Sequence, residues 1–82
     1  MSSHKTARVA RVLSGALRVW GVAASVESDP ERPDGFVLRT PAGVKLQIAP
    51  AAPRGWLVLR DARLLGMHAG LPGLLRTLRD EL

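Results

Sequence analysis

Residues 36–48 read Phe36-Val37-Leu38-Arg39-Thr40-Pro41-Ala42-Gly43-Val44-Lys45-Leu46-Gln47-Ile48, two apolar-rich runs on either side of a Pro-Ala-Gly break. Proline suits the first position of a type I turn, and glycine suits the left-handed residue that closes a three-residue hairpin loop. A turn there pairs Thr40 with Val44, Leu38 with Leu46 and Phe36 with Ile48. The apolar side chains of both strands then fall on one face, as a half-buried hairpin requires.

Outward from the hairpin, residues 56–60 (Trp56-Leu57-Val58-Leu59-Arg60) form a second β signal behind the breaker Pro50-Ala51-Ala52-Pro53-Arg54-Gly55. That run is apolar on both faces, which suits a central strand or one covered on both sides. On the other flank, residues 27–35 hold four of the seven acids (Glu27, Asp29, Glu31 and Asp34) together with Pro30 and Pro33. They read as a solvated loop. Residues 22–26 before it continue a helix by one turn or form a short first strand.

Both ends of the chain carry helical periodicity. Over residues 4–20, Val9, Val12, Leu13, Ala16, Leu17, Val19 and Trp20 gather on one face at 100° per residue. Arg8, Arg11 and Arg18 gather on the other, and Gly21 suits a left-handed C′ position. At the far end, Asp61 caps a short helix over 62–69, in preference to a turn leading to a further strand. Pro72 then opens a final helix whose Leu71, Leu74, Leu75, Leu78 and Leu82 form a stripe. The expected fold is α+β: one domain over residues 1–82, with an antiparallel meander of three to four strands packed against an N-terminal helix and C-terminal helices.

Composition narrows the functional classes. At 82 residues with no cysteine, the chain supports one core and neither a disulfide framework nor a thiolate metal site. A hydrophobic share of 46% suits a packed domain rather than a disordered tail. The net charge of +5 favours an acidic partner. Lys5 and Lys45 are the only lysines among twelve basic residues, however, and that bias, with abundant Ala, Gly, Pro and Leu, also follows from a GC-rich genome. Residues 1–26 resemble a targeting segment in their basic, acid-free start. Arg18 interrupts the apolar region such a segment needs, so these residues read as part of the fold. No apolar run is long enough to span a membrane, and the expected location is cytoplasmic.

Motifs that carry chemistry fail on inspection. Gly70-Leu71-Pro72-Gly73 has the spacing of a KH-type GxxG loop, but its middle pair is Leu-Pro and no strand follows the helix. A helix-turn-helix frame places either Pro72 inside the recognition helix or Arg76 and Arg79 at buried positions. The acids from Asp29 to Asp34 superficially match a calcium loop, but Thr40 stands where the bidentate glutamate belongs. The serines lack a His and acid partner, and His68 beside Met67 suits a hydrogen-bonded core residue better than a general base.

The expectation that remains is a small non-catalytic module acting by protein–protein contact as a homodimer, without metal or cofactor. Its interface is expected at Trp56, Val58, Leu74, Leu78 and Leu82, because these residues exceed what one small core comfortably hides. The alternative is a nucleic-acid or other polyanion binder. It would contact phosphate backbones through Lys5, Arg8, Arg11, Arg18, Arg39 and Lys45, the last two being like charges paired across the hairpin. An acidic protein would suit the same residues. An enzyme with a site near His68 ranks third.

Overall fold

The computed structural model describes residues 3–32, 34–51 and 54–82, with side chains from residue 7 onward. Seven elements follow one another: α1 (Ser3–Trp20), β1 (Ser25–Ser28), β2 (Phe36–Arg39), β3 (Lys45–Pro50), β4 (Trp56–Arg60), β5 (Arg63–His68) and α2 (Leu71–Glu81). The five strands form one sheet in the order β1-β2-β3-β4-β5, and every neighbouring pair is antiparallel. The α+β class stands. The expected three to four strands are five.

The β2–β3 hairpin has the register that its turn chemistry predicts: Phe36 faces Ile48, Leu38 faces Leu46 and Arg39 faces Lys45. The Gly43 N–H donates to the Thr40 carbonyl at 3.0 Å, closing the turn over Pro41 and Ala42. The Thr40 N–H donates to the Val44 carbonyl, and Thr40 Oγ1 accepts from the Val44 N–H. Gly43 adopts φ +91°, the left-handed conformation that a Cβ disfavours.

Helix α1 ends where Gly21 (φ +70°) lets the chain turn back. The Val22 N–H reaches the Leu17 carbonyl at 2.9 Å and the Gly21 N–H reaches that of Arg18 at 3.2 Å, a Schellman ending. Val9, Leu13 and Leu17, four residues apart, are buried. Leu74 and Leu78 of α2 repeat that spacing, and the two helices meet the same sheet face, where Phe36, Leu38, Leu46, Ile48 and Val58 complete one apolar cluster. Burial of each such side chain contributes about 1.5–3 kcal/mol. Val19, expected on this face, is 84% exposed, because it lies about 120° round the helix from the centre of the buried stripe.

The region between β4 and α2 departs furthest from expectation. Residues 61–69 do not form a helix. Asp61 and Ala62 make a two-residue hairpin turn with φ of +51° and +67°, and the chain returns as β5 with Arg63 opposite Arg60. Two positive φ values are the signature of the turn that matches strand twist, and it normally recruits Asn-Gly or Asp-Gly. Alanine in the second position conceals it in the sequence. Met67 faces Leu57 and Gly66 faces Val58, yet Leu64 faces Leu59, so Leu65 is the extra residue of a β-bulge. The expected pair of C-terminal helices is one strand and one helix.

At the other edge, Glu27 and Ser28, expected in the acidic loop, belong to β1. Asp29 is buried rather than solvated: its Oδ1 accepts the Glu31 N–H at 2.9 Å. Helix α2 is fixed to the sheet by two polar clamps besides its leucines. The Thr77 hydroxyl meets His68 Nε2 at 2.7 Å, and Arg60 donates to Glu81 at 2.9 Å.

Three substitutions test these turns by denaturant unfolding. Gly43→Val is expected to cost about 1–2 kcal/mol through backbone strain, since nothing crowds the position. Gly55→Ala costs more, because φ is +107° and an added Cβ would lie 2.5 Å from the His68 carbonyl oxygen. Ala62→Gly runs against the usual cost of glycine and stabilises by about 0.5–1 kcal/mol, strain relief exceeding the added chain entropy. A destabilised Ala62→Gly chain would be incompatible with the β4–β5 turn.

Candidate interaction surface

Side chains alternate along a strand, so a sheet that buries one face against helices presents the other elsewhere. In β2, β3 and β4 the residues next to the core positions are Val37, Arg39, Lys45, Gln47, Ala49, Leu57 and Leu59. The register carries this second face onto β1 through Glu27, opposite Val37, and onto β5 through Leu64 and Met67, opposite Leu59 and Leu57. Leu64 and Met67 are three residues apart and would point to opposite sides of a regular strand. The bulge at Leu65 brings them to the same side. Neither helix lies over this outer face.

In the middle of the outer face Val37, Gln47, Ala49 and Leu59 are already buried, whereas Leu64 and Met67 on β5 remain 54% and 66% exposed. Two of the three large apolar side chains that are exposed among the described residues therefore stand together on β5, and the third, Val19, is on α1. One end of the face is basic, with Arg39 beside Lys45. The opposite end is flanked by the β1–β2 loop that carries Glu31 and Asp34.

The like-charge pair is relieved from within the chain. Arg39 Nε lies 3.3 Å from Glu27 Oε2, with both side chains more than half exposed. Such an exposed pair contributes at most about 1 kcal/mol, but it supplies Arg39 with a carboxylate that the hairpin alone did not show. Lys45 and Arg63 make no ion pair among the described residues, and neither does the exposed Glu31.

The six positions expected to contact phosphate do not converge. Arg8, Arg11 and Arg18 are exposed on α1, about 140–160° from its buried stripe, so they face away from the sheet. Arg39 and Lys45 lie on the far side of that sheet. The side chain of Lys5 lies outside those described. Of the expected interface positions, Val58, Leu74 and Leu78 are spent within the chain's own core, and Trp56 and Leu82 pack half-buried against it. Leu57, Leu64 and Met67 form the apolar surface instead. The two-sided apolar pattern of residues 56–60 pointed to Leu57 and Leu59, while nothing in the sequence announced the bulge that turns Leu64 and Met67 outward.

Chemistry-bearing groups are dispersed. His68 is wedged between β5 and α2, where a Cβ on Gly73 would come within 3.1 Å of its Nδ1, and it holds Thr77. An open cleft of about 490 Å³ is lined by Ala23, Ala24, Ser25, Arg39, Thr40 and Pro41, and a smaller one of about 270 Å³ by Trp20 and α2 residues that include Arg76 and Arg79. Neither lining offers a nucleophile beside a base. Asp29 Oδ2 is buried without a partner among the described residues, and no three His, Asp or Glu side chains among them converge as a metal site would require. No family model, curated protein or solved structure matches the chain.

Proposed function

We propose that the chain is a non-catalytic protein–protein contact module that works as a homodimer through the outer face of its sheet. The observation that carries this reading is the separation of the α1 arginines from the Arg39–Lys45 pair, combined with the exposure of Leu64 and Met67 on a face no described helix covers. A polyanion binder needs a continuous basic track, whereas the α1 arginines and the Arg39–Lys45 pair stand on opposite sides of the molecule. Stacking platforms for single-stranded bases are also scarce, with Phe36 in the core and Trp20 and Trp56 packed against it. No described helix is long and apolar enough to cross a membrane, and a cytoplasmic setting is part of the proposal.

The rival reading retains one feature, the exposed Arg8, Arg11 and Arg18 stripe on α1, and a single set of measurements separates the two. In sedimentation, the native chain is expected to dimerise, and the doubly substituted Leu64→Ser, Met67→Ser chain to remain monomeric. Because both side chains are exposed, the stability of that variant should change by no more than about 0.5 kcal/mol per site. Titration with duplex DNA at physiological salt should show no submicromolar affinity. Submicromolar binding, with a salt slope flattened by about one unit in each of Arg8→Ala, Arg11→Ala and Arg39→Ala, would establish the polyanion reading instead.

A further inference from the structure

Resting on that homodimer reading, we infer that two copies pack outer face to outer face with their strands running in opposite directions, so that the Lys45 end of each lies over the Glu31 loop of the other. Both ends of the face follow from β2, which starts beside the acidic loop at Phe36 and finishes at Arg39 beside Lys45. With the strands of the two sheets aligned, two-fold symmetry leaves two ways to stack such faces. An axis along the strands sets Arg39 and Lys45 of one copy against the same residues of the other, and like charges oppose it. An axis across the strands exchanges the ends and sets basic against acidic.

Lys45 and Glu31 have the unpaired charges such an arrangement needs, since neither makes an ion pair among the described residues. The same axis keeps β5 over β5 and exchanges its ends, which lays Leu64 of one copy across Met67 of the other. Both exposed apolar side chains are thereby covered. The partner that complements an exposed apolar edge with one basic and one acidic end is this same surface turned through 180°.

Size sets the expected strength. Five strands spaced about 4.8 Å apart and up to six residues long outline about 500 Å² on each copy, but Val37, Gln47, Ala49 and Leu59 are already buried, so the accessible area the pair covers falls below about 1,000 Å². That is at or below the lower limit of specific interfaces, the size range of weak and transient association. Extending the sheet edge-to-edge through β5 is less favourable, because a bulge and the charged Arg63 both discourage strand addition there.

Charge exchange between chains tests the orientation. Lys45→Glu alone and Glu31→Lys alone should each weaken self-association about tenfold, because each puts like charges at both symmetry-related contacts. An equimolar mixture of the two variants, one isotopically labelled, should form heterodimers of near-native affinity in native mass spectrometry and sedimentation. In the mixed pair, both contacts again join opposite charges. Arg8→Glu on the helix side should leave affinity unchanged. If Leu64→Ser with Met67→Ser abolishes dimerisation but the mixture gains nothing, the outer face is the interface and the crossed orientation is wrong. If Arg8→Glu weakens association equally, net charge explains the effect and the inference fails. A native chain that stays monomeric at hundreds of micromolar would overturn the homodimer reading together with this arrangement.

Discussion

A one-residue slip of β3 against β2 would bring Lys45 and Gln47 under the helices in place of Leu46 and Ile48. An unpaired ammonium in that apolar cluster costs several kcal/mol, a large fraction of what any small domain has in total. Three hydrogen bonds around Thr40 and the positive φ of Gly43 hold the register against it. With β3 so placed, β4 is obliged to set Val58 opposite Ile48. Both helices then have one apolar surface to meet, and their leucines at four-residue intervals match it.

The same register determines what is left over. Two helices of 18 and 11 residues are those among the described residues, and both are used on one side of five strands. Every residue that alternation sends the other way must rely on its neighbours for cover. Near the centre of the sheet, Val37, Ala49 and Leu59 obtain it. At the β5 edge there is no further strand to supply it, and Leu64 and Met67 remain open. The exposed apolar surface thus follows from an unequal division of the described helices between the two faces of the sheet.

Legibility in the sequence tracked how local the deciding chemistry is. The register of the β2–β3 hairpin was readable to the residue, because Pro41 and Gly43 name their own turn and the flanking pattern agrees, although β3 runs on to Pro50, which reads as part of a breaker. The stripe of α1 was readable for the same reason, and so was the left-handed ending at Gly21. β5 was not: Asp61-Ala62 carries no glycine, and the bulge breaks the period-two alternation by which a strand is recognised. β1 was legible only as one of two readings of residues 22–26, and its run through Glu27 and Ser28 was hidden by the acids and prolines of the loop it leads into. The contact surface was legible only in part, since Leu57 and Leu59 follow from the pattern of their strand whereas Leu64 and Met67 depend on a bulge created by pairing. The two-sided strand and the leucine stripe pointed to Val58, Leu74 and Leu78 at an interface, but all three are buried within the chain. A fifth strand extends the sheet that α2 covers, and these residues are absorbed in the core.

Strain in the β4–β5 turn connects this local chemistry to the outer face. Asp61 and Ala62 both occupy a backbone region that L-residues disfavour by about 1–2 kcal/mol each, so β5 must gain enough from its pairing and from α2 to hold them there. It does so at its far end, where His68 is clamped by Thr77 and Gly55 lies against the His68 carbonyl. A strand tied at both ends by a two-residue turn and a clamp absorbs its surplus residue between them, and Leu65 is that residue. Leu65 packs toward the core, while Leu64 on its one side and Met67 beyond Gly66 are directed outward. The strand whose end is clamped to α2 on the inner face is thus the one that presents the apolar pair on the outer face.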